Sequence, residues 1–479
     1  MKDLLWYKDI IKKSELAEDS DVKGCMIIKP YGFYIWEKIK KIINKKIKNT
    51  GHKNAYFPLF IPKSYIGKEL KHVKEFAKEC AVVTHYRLKE INKKIEKDPD
   101  SELKEELIIR PTSETIIWNS YKKWIKSYKN LPIMINQWAN VVRWEMKNKI
   151  FLRTTEFLWQ EGHTVHSKKI ESIKESQIML NIYKNFLEKY MRIPTITGIK
   201  TENEKFAGAE KTYTIEILMK NGKALQAATS HLLGQNFSKA FNVKFVNKKG
   251  NIEHPWGTSW GVTTRLIGAL IMTHSDENGI ILPPVLAPIQ VIIIPIYKNK
   301  KEYNKIFKKL ITVKKILKKI NISAKIDNRY THSPGWKFSE YEIKGVPIRI
   351  SIGEKEVIKN LIEVTRRDTK EKVLIKIENI KKEIPIILKN IQNDIYEKAL
   401  KFKNSNIKKI NDYNDFKENI KKGGLIIAHW DGTKETEEKI KKETKASIRC
   451  IPINLKNEKG KCIYTGNFSK KRVFFAKSY

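Results

Sequence analysis

The chain is poor in the features that mark membrane, secreted and fibrous proteins. It contains no run of about 18 apolar residues, the length needed to span a bilayer. Its longest apolar stretches, such as Val291-Ile-Ile-Ile-Pro295, are strand-sized. The opening Met1-Lys-Asp-Leu-Leu-Trp6 lacks the apolar centre of a signal peptide. Its 4 cysteines (Cys25, Cys80, Cys450 and Cys462) are too scattered for a disulfide framework. There is no internal repeat and no Gly-x-x-x-x-Gly-Lys loop, which excludes Walker-type nucleotide binding. Acid is scarce: 53 Asp and Glu stand against 95 Lys and Arg, a formal charge of +42. Such an excess attracts polyanions at long range, in a salt-dependent way. Compositional drift toward Lys, Ile and Asn in an AT-rich genome produces the same excess, and the two readings are compatible. The expectation is a soluble, cytoplasmic chain with no membrane partner.

What is present is ample core-forming material. With 41% hydrophobic and 10% aromatic residues over 479 positions, the chain can build about three domains. Tyr31 to Ile47 spaces apolar residues as an amphipathic helix does. Residues 89–106 are almost wholly charged and read as a solvated insertion or hairpin. Leu131 to Glu145 and Arg153 to His163 read as two long strands joined by the polar turn Lys147-Asn-Lys149. Residues 166–192 form a lysine-studded helix, and Lys211 to Leu218 alternates with Gly222 to Ser230 as a hairpin. Thr263 to Met272 is an apolar helix with a strand-like neighbour at Gly279 to Pro284. Strands between 107 and 284 are seldom separated by helices, which argues for an antiparallel sheet with attached helices. After Pro283-Pro284 the pattern becomes strand–helix alternation, the mark of an α/β domain with a partly parallel sheet. A long basic helix near 377–404 then leads to strands at Gly424 to Ala428 and Ser447 to Ile453. The fold class is α+β, with divisions at 1–284, 287–400 and 401–479.

Three separated segments carry charged and aromatic residues that are costly to bury without partners. They are Arg110-Pro-Thr-Ser-Glu-Thr115, then Arg143-Trp-Glu145 with Phe151 to His163, then Gly257-Thr-Ser-Trp-Gly-Val-Thr-Thr-Arg265. Arg143, read as mid-strand, can clamp an α-phosphate, and Glu145 two residues on shares its face. The alternative is a buried structural Arg–Glu pair. Arg265 opens a helix behind hydroxyls, a ready polyphosphate site, or else a capping Thr beside a surface Arg. Thr112 and Glu114 can receive an ammonium nitrogen, or serve as an ordinary helix cap. His231, at the end of the strand from Gln226, can touch a small ring or be a structural histidine. A polyphosphate and an amino acid bound together would use all of them.

Taken in this order, the segments resemble class II aminoacyl-tRNA synthetases, whose adenylate-forming antiparallel sheet draws arginines from two motifs. Nearly end to end, the chain is similar to the prolyl-tRNA synthetases shared by archaea, the eukaryotic cytosol and some bacteria. Gly24 to Gly32 and Gly51 to Pro62 resemble the opening and the dimer-forming motif 1. Arg110 to Thr115 resembles the proline-binding loop, Arg143 to His163 motif 2, and Trp260 to Arg265 motif 3. Gly208-Ala-Glu, Thr229 to Phe237, Ser333 to Phe338, Lys344 to Arg349 and Lys470 to Tyr479 match as well. The resemblance implies ATP and L-proline as substrates, Mg2+ on the phosphates, tRNA(Pro) as partner and a homodimer. It implies that Thr112 and Glu114 hold the proline nitrogen, and that Arg143 bridges the proline carboxylate and the α-phosphate. Trp159, Glu161, Phe206 and His231 would shape the ring pocket. Gln226, Thr229, Thr263 and Arg265 would serve ATP, with Glu145 and Arg153 at its adenine and phosphate sides. Trp336, Lys337, Phe338, Glu342, Lys344 and Arg349 would read the anticodon by stacking and edge contacts. The other reading of this cluster is a folded loop core.

The chain departs from the family in its last domain. Relatives often place four zinc-binding cysteines where Asp431, Thr436, Cys462 and Thr465 stand, and a tetrahedral structural zinc needs four soft or borderline ligands. No structural zinc is expected. Ala227-Ala228 stands where relatives usually have one or two glycines. About 90 residues separate motifs 2 and 3, too few for an inserted editing domain. The rivals are a class II synthetase for threonine, serine or glycine, a non-catalytic tRNA-binding paralogue, and a generic basic RNA-binding protein.

Overall fold

The computed structural model describes residues 2–67 and 79–479. Its centre is an antiparallel sheet in which Lys211–Leu218, Ala224–Gly234, Trp256–Thr263, Glu156–His166 and Ile133–Val142 lie side by side in that order. Lys53–Asn54 closes one edge by parallel pairing with Ile133–Val142. Helix Lys169–Lys189 lays Met179, Tyr183, Phe186 and Leu187 against one face of the sheet. Helix Pro30–Lys48 adds Ile35, Ile39, Ile43 and Ile47, a four-residue repeat that keeps one stripe buried. Helix Arg265–His274 is apolar nearly all round, and every residue after Arg265 is buried, as such a helix must be.

The second unit has the expected α/β form. Ala324–Ile326, Val291–Pro295 and Ile348–Ile352 pair in parallel, and Leu361–Arg366 and Lys372–Lys376 continue the sheet antiparallel. Helix Lys300–Lys319 seals it with Ile306, Leu310, Val313 and Leu317, while its lysines face solvent. Helix Ile380–Ser405 runs on to the C-terminal segment. That segment has a core of its own around Phe416 and Phe475. Its sheet nevertheless extends the central one: Ala446–Pro452 pairs with Ile196–Ile199, giving eleven strands in continuous order among the described residues.

Several elements differ from their sequence outline. The strand carrying Arg143 ends at Val142, so Arg143 stands one residue beyond it. The turn to the next strand is the whole segment 143–155, pinned by a Lys149–Arg153 bridge and by Phe151 at φ 62°. Residues 279–284 make no strand: an Asp276–Gly279 bridge is followed by extended chain ending in two prolines, which lack N–H donors. The strand from Ala224 runs past His231 to Gly234.

Ion pairs fasten the units together, and the Glu216 triad among them is buried. Glu216 accepts from Lys200 Nζ at 2.8 Å and from Arg449 Nη2 at 2.8 Å, joining the central strands to the C-terminal segment. Burial alone would raise its pKa, but Arg449 and Lys200 outweigh that and bring it to about 2. Arg367 forks onto both Asp276 oxygens at 2.6 and 2.8 Å. Lys344 reaches Glu15 at 2.7 Å and Glu340 at 2.9 Å. Because Glu216 titrates lower folded than unfolded, its contribution is complete above the ordinary carboxylate range and is lost as pH falls toward 2. Glu216→Gln strands two cations and should cost about 3–5 kcal/mol. Urea denaturation at pH 7 checks the cost; a variant as stable as the parent would refute the role given to this triad.

Candidate active site

Strand alternation builds the site. Phe157, Trp159, Glu161 and His163 fall on one face of Glu156–His166 because successive side chains point to opposite sides. Register then sets rows across the sheet. Glu161 lies opposite Gly261, which lies opposite Thr229; His163, Ser259 and His231 form the next row; Trp159 faces Thr263. Gly261 is required here, since a Cβ would come 2.7 Å from the Gln160 carbonyl. A bulge between Ile215 and Glu216 makes Ala227 an extra residue, so Gln226 joins the same face as Thr229 and His231.

These rows floor an open cleft of about 1050 Å³. Of the candidates for amino-acid and nucleotide binding, Thr112, Glu114, Arg143, Trp159, Glu161, Phe206, Gln226, Thr229, His231, Thr263 and Arg265 line it together. Glu145 and Arg153 do not line it; they pair with each other at 2.7 Å in the 143–155 segment. Arg143 donates Nε to the Pro111 carbonyl at 2.9 Å and lies 5.7 Å from the Phe157 and Trp159 ring centres. Arg265 donates to the Leu152 and Gln226 carbonyls at 3.1 and 3.4 Å. Arg110, fully buried, instead braces the loop through Asn140 and Phe57 carbonyls.

Both cleft arginines titrate below their usual value. Desolvation is the main cause for each, partly offset for Arg143 by Glu114 and Glu161. Arg265 falls to about 10, by desolvation and then repulsion from Arg143. Neither shift deprotonates a guanidinium at neutral pH, so two positive charges share one desolvated cleft. An anion between them relieves both.

Glu161 accepts from Ser113 Oγ at 2.5 Å and Gln137 Nε2 at 2.7 Å, and pairs with His163 Nε2 at 2.8 Å. Thr112 donates its hydroxyl to Glu114. The Phe206 and His231 rings lie 4.7 Å apart, and Thr212 Oγ1 holds His231 Nδ1 at 3.0 Å. Burial, then the His163 and Arg143 charges, push His231 down to about 3, so it is neutral at physiological pH. Carboxylates, aromatic rings and a neutral imidazole thus face two guanidiniums across one cleft.

Three family comparisons cover most of the chain. Residues 90–274 match the tRNA synthetase class II core domain (G, H, P, S and T), 290–385 the anticodon binding domain, and 413–479 the prolyl-tRNA synthetase C-terminal domain. Proline–tRNA ligase of Amoebophilus asiaticus is 57% identical over 99% of this chain and 97% of its own length. That of Cytophaga hutchinsonii is 56% identical with the same coverage. The chain belongs to the prolyl-tRNA synthetase family. The crystal structure of prolyl-tRNA synthetase from Cryptosporidium parvum with L-proline and AMP superposes with TM-score 0.92 at 40% identity, covering 100% of this chain and 98% of that one. The fold is therefore the class II synthetase core followed by an anticodon-binding domain and a C-terminal domain.

The anticodon candidates scatter more than those of the cleft. Phe338, Glu342 and Arg349 line a second hollow of about 540 Å³, with the Arg349 guanidinium 3.8 Å above the Phe338 ring. Trp336 is exposed and stacks on His332 at 3.9 Å. Lys337 is buried beside Asp327, and Lys344 is held by Glu15 and Glu340. Arg366, Arg367, Lys370 and Lys372 line the hollow unforeseen by motif reading. In the C-terminal segment Asp431 Oδ2 accepts from Thr436 Oγ1 at 2.8 Å and Thr465 Oγ1 at 2.9 Å, and Cys462 is buried.

Phe157, His163, Ser113 and Ser259 were also missed; simple alternation from Trp159 and Glu161 marks Phe157 and His163. Burial lowers the His163 pKa, but Glu161 more than compensates and the net shift is upward. Imidazole NMR should therefore find His163 titrating above 6.5 and His231 neutral throughout pH 5–8. Glu161→Gln should drop the His163 value below 6.5. An unmoved His163 would show that Glu161 does not govern it.

Proposed function

We propose that this chain is a proline–tRNA ligase: ATP and L-proline give prolyl-adenylate and pyrophosphate, and the 3′-terminal ribose hydroxyl of tRNA(Pro) then displaces AMP. The observation that carries the reading is the placement of Arg143 and Arg265 on one cleft with Glu114, Glu161 and the Phe206–His231 rings. In the first step a carboxylate oxygen attacks the α-phosphorus while pyrophosphate leaves. Arg143, between the carboxylate-binding end and Arg265, neutralises the crowded phosphorus and orients the attacking oxygen. Arg265, at its helix N-terminus, takes the departing phosphates. Thr112 and Glu114 receive the secondary ammonium. Trp159, Phe206 and neutral His231 enclose a ring without a polar handle, so selection rests on shape and apolar contact. Gln226, Thr229 and Thr263 serve ATP. The Arg153–Glu145 pair stands at the adenine and phosphate rim. Magnesium would travel on the phosphates and add charge neutralisation; the oxygen groups of Gln226, Thr229 and Thr263 are hard donors compatible with it. No side chain needs to act as a nucleophile.

The remaining assignments follow from the same reading. Residues 1–284 form the catalytic domain, 287–400 the anticodon reader and 401–479 the C-terminal domain of a cytoplasmic homodimer. Phe338, Glu342, Arg349 and Trp336 are the anticodon contacts the geometry favours, and the committed ion pairs of Lys337 and Lys344 make them supports. The archaeal/eukaryotic-type architecture without an inserted editing domain is supported by the segment between motifs 2 and 3. Its long helix Lys169–Lys189 and its strands Ile196–Ile199, Lys211–Leu218 and Ala224–Gly234 belong to the central fold, and what remains is the short helix Asn236–Ala240 and a hairpin of two-residue strands. Zinc is disfavoured by chemistry: at the four positions one thiol stands among a carboxylate and two hydroxyls already bonded to one another.

Pyrophosphate exchange over all twenty amino acids should respond to proline. Exchange with threonine, serine or glycine instead would overturn the substrate assignment, and none at all would favour a non-catalytic paralogue. Arg143→Ala and Arg265→Ala should each lower the exchange rate by about 10²–10³-fold, the usual loss for a donor aimed at developing charge. Metal analysis should find no stoichiometric zinc, and sedimentation should give a dimer.

A further inference from the structure

A second cleft, of about 1030 Å³, opens where the catalytic core, the anticodon-binding domain and helix Ile380–Ser405 meet. It lies apart from the residues of the active cleft. Leu218, Ile281, Ile395, Ala399 and Phe402 give it a mainly apolar wall. A few polar groups converge on that wall, the usual composition of a small-molecule site.

Those groups have unspent bonding capacity. Thr273 is 7% exposed, lines the cleft, and its hydroxyl has no hydrogen-bond partner among the described residues. A buried hydroxyl left unpaired costs free energy, so a ligand acceptor there is favoured. Lys220 Nζ donates to the His274 and Ser275 carbonyls at 3.1 and 2.6 Å, which leaves one of its three N–H bonds. Lys398 joins it on the lining, and desolvation followed by the Lys398 charge lowers the Lys220 pKa. Asp368 and Asp394 share a single guanidinium, that of Arg366, at 2.7 and 2.6 Å. On the lining the two lysines balance the two aspartates, but Arg366 holds both aspartates from outside it, which leaves Lys220 and Lys398 without a carboxylate partner among the described residues.

We propose that this interdomain cleft binds an amphipathic monoanion, its apolar body against Ile395, Ala399 and Phe402 and its carboxylate on Lys220, Lys398 and the Thr273 hydroxyl. The site bridges helix Ile380–Ser405 to the C-terminal end of helix Arg265–His274. It is independent of the assignment of the active cleft.

Decanoate and the neutral isostere decanol are suitable probes, titrated calorimetrically into the full chain. Decanoate should bind saturably at one site per chain, at least tenfold tighter than decanol. Lys398→Met and Thr273→Val, both tolerable to the fold, should each weaken decanoate at least threefold and leave decanol unchanged. Ala399→Trp, which fills the apolar wall, should remove both; circular dichroism and melting confirm that it folds. Equal affinity for the two probes would overturn the anion half of the proposal. Displacement of decanoate by inorganic phosphate at equal concentration, or unchanged binding by folded Ala399→Trp, would overturn the apolar half.

Discussion

Two guanidiniums of like charge held in one desolvated cleft are the constraint around which this molecule is arranged. Arg143 hangs on the Pro111 carbonyl, and Arg265 on those of Leu152 and Gln226. Carbonyl dipoles fix direction without cancelling charge. Desolvation first, and then repulsion from Arg143, lowers the pKa of Arg265. An antiparallel sheet suits the task, because its register fixes side-chain rows to within a fraction of a residue.

The same logic separates the two ends. Glu161 is satisfied by three donors, Ser113, Gln137 and His163. His231 is neutral because the surrounding positive charge and burial act in the same direction. A neutral ring beside Phe206 offers an apolar face, while a protonated one would compete for the anion. Electrostatics thus sorts the cleft into an anion end and an ammonium-and-ring end before any substrate arrives.

Much of this was legible in the chain, and the failures share a cause. Motif order and alternation gave the central antiparallel sheet and Thr112, Glu114, Arg143, His231 and Arg265 in the cleft, because these depend on local spacing, while the resemblance to the family supplied Trp159, Glu161, Phe206, Gln226, Thr229 and Thr263. The exact end of the Ile133–Val142 strand was not legible; a buried run of aromatics and valines gives no signal for where pairing stops. Nor was the bulge at Ala227, a property of two paired strands. Lys337 and Lys344 read as anticodon contacts. Asp327 and Glu15, which claim them, announce themselves only after the chain has folded, Glu15 from more than three hundred residues away. The pairing of Ile199 with Ile451 is hidden for the same reason: two short strands with no shared sequence signature.

The ion pairs at the domain joins then acquire a physical rationale. Asp276–Arg367, Lys344 with Glu15 and Glu340, and the Glu216 triad each span two units rather than stiffen one. Buried pairs of this kind add little net stability against an apolar isostere, but a wrong orientation would leave charge unpaired at large cost. They therefore select an orientation more than they strengthen an interface. A chain that reads a nucleic acid in one domain and reacts at its end in another needs that selection. Apolar packing alone tolerates small slips between rigid units, whereas a forked Arg–Asp contact does not.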